Sequence, residues 1–292
     1  MSERNWARDG RDWPNRDSSR FVRAAGLQWH VQVMGAGPVL LLLHGTGAAT
    51  HSWRAMAPLL ARHFTVVAPD MPGHGFTESP SKPRLSLPGM AKSLHGLLQI
   101  LNLSPVLAAG HSAGAAIALR MALDGMPVRG LVGLNGAFLP MEGIPGQIFS
   151  PMAKLLAGLP GLAELFAWRA KDDTVTRLLE GTGSRIDAQG AMLYGRMIRN
   201  PAHAAAALGM MSQWDLRPLL QDLHRLTAPL LLIVGANDRS VPPAQSGRVA
   251  GLVPGAQLLT MPGLGHLAHE EKPNETAEAI VAFARTVGVI PA

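Results

Sequence analysis

Five short, nearly continuous apolar segments recur along the chain, separated by segments with the character of helices. The apolar segments lie at residues 39–43, 65–68, 106–109, 131–134 and 230–234. A strand with apolar residues on both faces must be covered on both sides, which is typical of a parallel sheet. The helix-like segments between them lie at residues 53–62, 87–101 and 112–123. This alternation of strand and helix predicts an α/β fold with a mostly parallel, doubly wound sheet.

The N-terminal part of the chain follows a different pattern. Residues 27–33 alternate strictly between apolar and polar, which predicts a half-buried strand. Residues 21–23 precede them across a short turn, so the two segments predict an N-terminal antiparallel hairpin. Residues 1–17 form a polar, arginine-rich extension in which Trp6 and Trp13 stand among charged residues. Two tryptophans in so polar a segment indicate that it lies against another surface.

The alternation of strand and helix stops between residues 137 and 214 and resumes at Ala228. The interrupted region has no good strand, holds six of the 14 methionines, and contains helix-like pieces at 151–159, 162–169, 174–179 and 202–211. A helical block inserted between two strands predicts a cap over the carboxyl edge of the sheet, where open α/β sheets bind ligands. We therefore expect a core domain formed by residues 1–136 and 215–292, and a helical cap or lid at 137–214.

The stretch Gly110-His111-Ser112-Ala113-Gly114 follows the third apolar segment and opens a segment rich in alanine. It matches the pattern G-x-S-x-G, which is weakly specific by itself. Between a strand and a helix of small residues, however, the pattern predicts a sharp turn that presents the serine hydroxyl at the end of the strand. Gly110 and Gly114 provide the clearance that such a turn needs. We therefore expect Ser112 to be a nucleophile.

A serine hydroxyl needs a base to become a nucleophile, and the base needs an acid that orients it. With this type of turn, the three residues follow one another in the order serine, acid, histidine. Asp238 comes after the strand predicted at 230–234, and His266 comes after a strand predicted at 258–260. We expect Ser112, Asp238 and His266 to form a catalytic triad at one edge of the sheet. Asp238 would orient the imidazole of His266, which would take the proton of Ser112 and return it to the leaving group.

A glycine-rich turn, His44-Gly45-Thr46-Gly47, follows the first apolar segment. Such a turn can direct a backbone N–H toward the nucleophile, where negative charge develops during acyl transfer. We assign the oxyanion hole to the backbone N–H groups of Thr46 and of Ala113, the residue after the serine. The residues expected to support the turns rather than to react are His44, Gly45, Gly110 and Gly114.

Five motifs stand in a characteristic order: His44 to Gly47, Asp70 to Gly75, the turn at Ser112, Gly235 to Asp238, and Gly265-His266. Together they resemble the α/β-hydrolase fold superfamily over nearly the whole chain. The resemblance implies an α/β-hydrolase fold and a serine hydrolase that acts on an ester or similar acyl bond of an apolar molecule. Dehalogenase and epoxide-hydrolase chemistry is disfavoured, because those relatives carry an aspartate where this chain has Ser112.

Two further stretches point to a narrower family. Residues 6–16 (WARDGRDWPNR) and 110–120 (GHSAGAAIALR) are similar to the magnesium-chelatase accessory proteins of bacteriochlorophyll biosynthesis. This resemblance implies a role near the insertion of magnesium into protoporphyrin, with a tetrapyrrole as the apolar ligand and magnesium-chelatase subunits as partners. It does not imply the chelatase itself. The sequence holds no G-x-x-x-x-G-K-[ST] phosphate loop, so an ATP-driven motor role is unsupported.

Composition excludes several other classes of protein. The 292 residues include no cysteine, which excludes disulfides, a thiolate nucleophile and a cysteine-bound metal. No cluster of His, Asp and Glu has a convincing metal spacing, so we predict no metal and no cofactor.

The net charge of +6 is scattered along the chain, which argues against a nucleic-acid partner. The N-terminus lacks the apolar core of a secretory signal. We expect a cytoplasmic protein, and the basic charge leaves peripheral contact with an anionic membrane open.

Two alternative functions are compatible with the same residues. A non-catalytic protein could use a cavity under the cap to bind a porphyrin or to hand it over to magnesium chelatase. A haloperoxidase-like enzyme or a carbon–carbon-bond hydrolase would use the same triad. The sequence does not choose among them.

Overall fold

A single sheet forms the centre of the computed structural model, which describes residues 5–140 and 167–291. Its eight strands lie in the order β1-β2-β4-β3-β5-β6-β7-β8. The pairs β1–β2 and β2–β4 are antiparallel, and all other neighbouring strands are parallel. The predicted doubly wound sheet with an N-terminal antiparallel hairpin is therefore confirmed. The strands are β1 (Ser19–Ala24), β2 (Leu27–Met34), β3 (Val39–Leu43), β4 (Thr65–Pro69), β5 (Leu107–His111), β6 (Gly130–Leu134), β7 (Leu230–Gly235) and β8 (Gln257–Met261).

Helices cover both faces of the sheet, which explains why the central strands are continuously apolar. Leu41 and Leu43 of β3 pack in one cluster with helices α3 (Leu87–Leu101) and α4 (Ala113–Leu123). Leu40 and Leu42 pack on the opposite face with α2 (Met56–Leu60) and α11 (Pro273–Thr286). Neighbouring residues of a strand point to opposite faces, so each apolar residue of β3 has its own covering layer.

Seven further α-helices lie wholly within the described ranges. They are α1 (Trp6–Asp9), α5 (Asp172–Gly181), α6 (Ala188–Ile198), α7 (Pro201–Gln213), α8 (Arg217–Asp222), α9 (Pro243–Leu252) and α10 (Ala268–Glu271). Helix α3 has the bounds that the sequence predicted. The predicted helix at 53–62 has the wrong bounds. The structure has a 3₁₀ turn at Thr50–Trp53 and an α-helix only over Met56–Leu60. Pro58 lacks an N–H, so it is tolerated only in the first turn of a helix and sets the late start of α2.

The regular elements among the described residues between β6 and β7 are helices, and no strand occurs there. The helices predicted at 174–179 and 202–211 correspond to α5 and α7. The helix predicted at 151–159 and the first part of that at 162–169 fall outside the described residues. Sequence reasoning missed α6, whose first turn is capped by Asp187 accepting a hydrogen bond from Gly190 N at 2.6 Å.

In residues 5–140 and 167–291, no helix is both long enough and apolar enough to serve as a membrane span.

The polar N-terminal extension lies against the body of the protein. Trp13 is only 2% exposed, and its indole N–H donates to Oγ1 of Thr50 at 3.0 Å. Trp6 packs on the ring of His30 at a centroid distance of 4.9 Å. Arg196 of α6 holds Asp12 through two hydrogen bonds of 2.8 Å. The prediction that this segment lies on another surface is confirmed, and the surface includes α6.

Candidate active site

Ser112 lies on a sharp turn between β5 and α4. Its backbone has φ 51° and ψ −117°, a conformation that non-glycine residues rarely adopt. Such a conformation costs free energy and persists only where the surrounding structure imposes it. A side-chain carbon at Gly114 would overlap the carbonyl oxygen of Leu43, and one at Gly110 would overlap the backbone nitrogen of Ala115. The two glycines therefore let the strained turn fit against the end of β3.

The turn at residues 44–47 packs directly on Ser112. A Cβ added at Gly45 would come within 3.1 Å of Cβ of Ser112. His44 is fully buried, and its Nδ1–H donates to the carbonyl oxygen of Gly45 at 2.8 Å while its Nε2 accepts from Met71 N at 2.9 Å. Burial lowers the pKa of His44, so the ring is neutral. His44 therefore joins the loops after β3 and β4, and it holds Gly45 beside Ser112.

The two residues assigned to the oxyanion hole flank the same turn. Ala113 is the first residue of α4, where the leading N–H groups of a helix have no partner within the helix. Thr46 is half-buried in the neighbouring turn, and its hydroxyl lies 3.5 Å from the sulfur of Met210 on α7. The helical region between β6 and β7 thus contacts the loop that holds Thr46.

Asp238 and His266 form a buried hydrogen-bonded pair. Oδ2 of Asp238 lies 2.8 Å from Nδ1 of His266. The other carboxylate oxygen accepts from the backbone N–H groups of Ser240 and Val241 at 2.8 and 2.9 Å, so the carboxylate is fixed in direction. The Asp238 side chain is fully buried, and that of His266 is 10% exposed. Because Nδ1 faces the carboxylate, Nε2 is the ring nitrogen that remains to exchange a proton with another group.

His111 joins the serine turn to the histidine loop. Its Nε2–H donates to the carbonyl oxygen of His266 at 2.9 Å, and the two rings are 4.7 Å apart between centroids. Ser112 is the next residue in the chain, so this contact brings Ser112 and His266 to the same edge of the sheet. Burial keeps the pKa of His111 well below its ordinary value. Burial also lowers the pKa of His269 to about 3, which leaves that ring a poor proton acceptor.

Asn135 is a site residue that sequence reasoning missed. It follows β6 with φ 46°, and its side-chain amide donates to Oδ2 of Asp238 at 2.8 Å and to the carbonyl oxygen of Gly265 at 3.3 Å. The signal that could have found it is position. Asn135 is the first polar residue after the fourth apolar segment, and the carboxyl ends of parallel strands share one edge.

Asp70, an earlier aspartate at a strand end, belongs to a different group of residues. Its carboxylate lies 2.7 Å from Nδ1 of His30 and accepts from the backbone N–H groups of Thr50 and Phe76 at 2.7 and 2.9 Å. Burial alone would raise the pKa of Asp70, but the charge and hydrogen bond of His30 hold it well below the ordinary value. Asp70 therefore stabilises the loops around the site.

A second buried acid, Glu270, lies on α10 just after His266. One of its oxygens accepts from the hydroxyl of Tyr194 at 2.7 Å, and the other pairs with the guanidinium of Arg54. Burial raises the pKa of Glu270 to about 7, against the opposing effect of Arg54.

Among residues 5–140 and 167–291, no three His, Asp or Glu side chains are grouped closely enough to hold a metal ion.

Comparison with known proteins agrees with this architecture. The family model of the α/β hydrolase fold matches residues 38–273. The magnesium-chelatase 30 kDa subunit of Rhodobacter capsulatus is 44% identical over 89% of this chain and 92% of its own length. The 2-hydroxy-6-oxo-2,4-heptadienoate hydrolase of Pseudomonas putida is 28% identical, over 88% of this chain and 93% of its own. The crystal structure of a putative lipase from Acinetobacter baumannii superimposes with a TM-score of 0.78 at 21% identity, covering 92% of this chain and 91% of that chain. On the family match and the extended similarity to the 30 kDa subunit, the chain belongs to the α/β hydrolase fold family.

Proposed function

We propose that this protein is a serine hydrolase that cleaves an ester or similar acyl bond of an apolar molecule. Ser112 is the nucleophile, His266 is the general base and acid, and Asp238 orients His266. The observation that carries this proposal is the 2.8 Å pair between Asp238 and His266, which His111 ties to a strained turn that bears Ser112. Strain of this kind costs stability, so it is found mainly where it serves a functional site.

The proposed reaction proceeds in two halves. Oγ of Ser112 attacks the carbonyl carbon of the substrate while Nε2 of His266 takes the hydroxyl proton. The tetrahedral intermediate collapses, the bond to the leaving oxygen breaks, and His266 gives its proton to that oxygen. Water then attacks the acyl-enzyme with the same base and releases the acid and the free serine. Asp238 stabilises the imidazolium in both halves and keeps Nδ1 as the donor.

The N–H groups of Thr46 and Ala113 are proposed to bind the oxyanion. Ala113 contributes a free helix-terminal N–H next to the nucleophile, and Gly45 sets the turn of Thr46 against Ser112. Preorganised donors of this kind stabilise charge as it develops, and removing one of them typically costs about 10²–10³ in kcat.

We also propose that residues 137–214 form a cap over this site. The support comes from contacts of α5, α6 and α7 with loops at the carboxyl ends of the strands. Ala48 after β3 packs in one cluster with Val175, Leu179 and Tyr194. On α7, Nε2 of His203 lies 3.1 Å from the carbonyl oxygen of Gly47, and Nδ1 of the same ring accepts from Gly75 N at 3.1 Å. A substrate that reaches Ser112 would therefore pass beside these helices.

The similarity to the magnesium-chelatase 30 kDa subunit supports a narrower role. We propose that the protein serves the magnesium-chelatase step of bacteriochlorophyll biosynthesis, with chelatase subunits as partners and a tetrapyrrole or its ester as ligand. A non-catalytic carrier of porphyrin would share this role but would not use Ser112. A carbon–carbon-bond hydrolase, which the similarity to the Pseudomonas putida enzyme favours, would use the same three residues on a different substrate.

A fluorophosphonate probe tests the proposal without a known substrate. The probe is added to the purified protein, and the labelled peptide is identified by mass spectrometry. We expect labelling at Ser112, its loss in Ser112→Ala, and a decrease of about 10³-fold in labelling rate in His266→Ala. Ser246→Ala, a buried serine on α9, is the matched control and should label as the wild type does.

The alternatives predict other outcomes. A folded protein with no labelling at Ser112 would overturn the hydrolase proposal and favour the carrier. If the probe labels Ser112, turnover of p-nitrophenyl butyrate against that of a 2-hydroxy-6-oxo dienoate separates ester cleavage from carbon–carbon cleavage.

A further inference from the structure

The residues that join α5 to α6 contact His266 and both chain neighbours of Asp238, which are Asn237 and Arg239. We define this joint as the 182–185 segment, from Thr182 to Arg185. The carbonyl oxygen of Thr182 accepts two hydrogen bonds, from Arg239 N at 3.1 Å and from His266 N at 3.3 Å. Arg239 directly follows Asp238, so one carbonyl oxygen bridges the loop of the acid and the loop of the base.

The segment is held to the histidine loop at further points. The hydroxyl of Ser184 accepts from Leu267 N at 2.8 Å, and Ser184 is only 2% exposed. The two carboxylate oxygens of Glu271 accept from Arg185 N at 3.0 Å and from Gly265 N at 2.8 Å. His266 therefore lies between two residues, Gly265 and Leu267, whose N–H groups are both fixed by this network.

Close backbone contact leaves the segment little freedom. Gly183 has φ 86°, and a side-chain carbon there would overlap the carbonyl oxygen of Asn237, the residue before Asp238. A side-chain carbon at Gly265 would overlap the backbone of Gly183. The two glycines allow three backbones to meet at the point where the acid loop and the base loop approach each other.

We propose that the 182–185 segment is a positioning element, which holds Asp238 and His266 at their working separation and couples their geometry to the placement of α5 and α6. This inference rests on the proposed function. Ser184 and Glu271 are positioning residues, because they act on His266 through its neighbours in the chain. A shift of α5 and α6 when a ligand enters or leaves would move Thr182 O, and with it the orientation of the base.

Two pairs of variants test the proposal on the full chain. Gly183→Ala pushes the segment away from Asn237, whereas Gly181→Ala adds a methyl group where no atom lies within 4 Å. Glu271→Gln leaves one acceptor oxygen for two N–H donors. Glu180 lines the same surface cleft as Glu271, so Glu180→Gln is the control that makes the same change of charge. We expect kcat on p-nitrophenyl butyrate to fall about tenfold or more in Gly183→Ala and Glu271→Gln with KM within about twofold, because misplaced catalytic groups slow chemistry more than binding. Gly181→Ala and Glu180→Gln should match the wild type.

Ser184 supplies the readout that a purely structural role would not move. Ser184→Ala should slow both turnover and fluorophosphonate labelling of Ser112 about tenfold, and Ser184→Thr, which keeps the hydroxyl, should restore most of the rate. Equal labelling rates in the wild type, Gly183→Ala and Ser184→Ala would overturn the inference while leaving the hydrolase proposal intact.

Failure of the hydrolase proposal leaves a separate test. If the wild type is not labelled, amide hydrogen exchange is measured in the wild type and Ser184→Ala. Exchange at Leu267 N–H at least tenfold faster in the variant, with the exchange at Gly265 and His266 also raised, would support the positioning element. Unchanged exchange at these three amides would overturn it.

Discussion

The side-chain amide of Asn135 lies 2.8 Å from Oδ2 of Asp238, the same oxygen that faces the imidazole of His266. The amide donates to an oxygen that already accepts from the histidine, so it helps to fix the direction of the carboxylate. The acid of the proposed triad is thus oriented by the strand that lies between the nucleophile and the acid.

Asn135→Asp should therefore lower kcat by about tenfold or more at pH 7. The substitution is nearly isosteric, and Asp tolerates the positive φ of this position. It replaces the N–H donor with a second carboxylate, which cannot donate to Asp238 and repels it. The measurement is turnover of p-nitrophenyl butyrate from pH 6 to 9, with Asn274→Asp as the exposed control. Wild-type turnover across this range would show that Asn135 has no influence on the acid.

Gly114 should tolerate no side chain. Gly114→Ala places a carbon on the carbonyl oxygen of Leu43, so either the serine turn or β3 must shift, and we expect a loss of about 2–4 kcal/mol in the free energy of unfolding. Gly247→Ala in α9 is the control, since no atom lies within 4 Å of the added carbon. Helix propensity predicts that this control gains about 0.5–1 kcal/mol. Urea unfolding curves of both variants would check the pair, and equal stability would contradict the steric argument.

Acid should unfold this protein at a mild pH. Eight of the 11 histidines are buried, and burial lowers the pKa of six of them, to about 4 for His203 and about 3 for His269. The other four with a lowered pKa are His44, His51, His74 and His111. Each ring takes up a proton less readily in the folded chain than in the unfolded one, so stability present at pH 7 is lost as pH falls below about 6.5.

The size of this effect sets the expected midpoint. Six protons taken up on unfolding would give a limiting slope of about 8 kcal/mol per pH unit, which is reached only where the unfolded histidines are fully charged. Glu270 opposes it, because its raised pKa lets the folded chain take up a proton below pH 7. Domains of this kind have about 5–15 kcal/mol of stability, so we expect cooperative unfolding close to pH 5. Circular dichroism from pH 7.5 to 4 measures the midpoint, and a fold that persists at pH 4 would contradict the prediction.

Protoporphyrin should quench the fluorescence of the six tryptophans with micromolar affinity if the ligand is a tetrapyrrole. Carboxylates held by arginine or lysine in a buried slot are screened little, so the affinity should survive 0.5 M salt. Contact with an anionic membrane would instead weaken strongly as the Debye length falls from about 10 Å at 0.1 M salt to about 3 Å at 1 M. No saturable quenching in detergent-free buffer, with salt-sensitive binding to anionic liposomes, would exclude the tetrapyrrole pocket.

The strands were predictable because burial on both faces leaves a local mark. Residues 39–43 are apolar without interruption, and the structure covers them from both sides. The helix α6 was not predictable in this way. Gly190 and Gly195 lower its intrinsic preference for helix, and its buried residues pack on the N-terminal extension and on the loop after β3. Its buried Leu193, Tyr194 and Met197 have helical spacing, but three apolar positions interrupted by a glycine are a weak signal in the sequence.

The candidate site shows the same limit. Asp238 and His266 could be placed at strand ends from the order of the motifs, and the structure puts them within hydrogen-bond distance. Asn135 was missed although its position directly after the fourth apolar segment could have indicated it. Thr182 could not be found from any pattern, because it acts through a backbone carbonyl. Every residue has a carbonyl, so only the three-dimensional arrangement distinguishes Thr182 from its neighbours.

The docking of the N-terminal extension on α6 has a consequence for synthesis. Asp12 and Arg196 are 184 positions apart in sequence, and Trp13 is buried in one cluster with Leu193 and Met197. Chains leave the ribosome from the N-terminus, at about 5–20 residues per second. The residues of α6 that help to bury Trp13 are therefore made about ten seconds or more after Trp13 itself. During that time the arginine-rich segment with its two tryptophans is open to chaperones and anionic surfaces, and its contact with α6 forms only after α6 has been made.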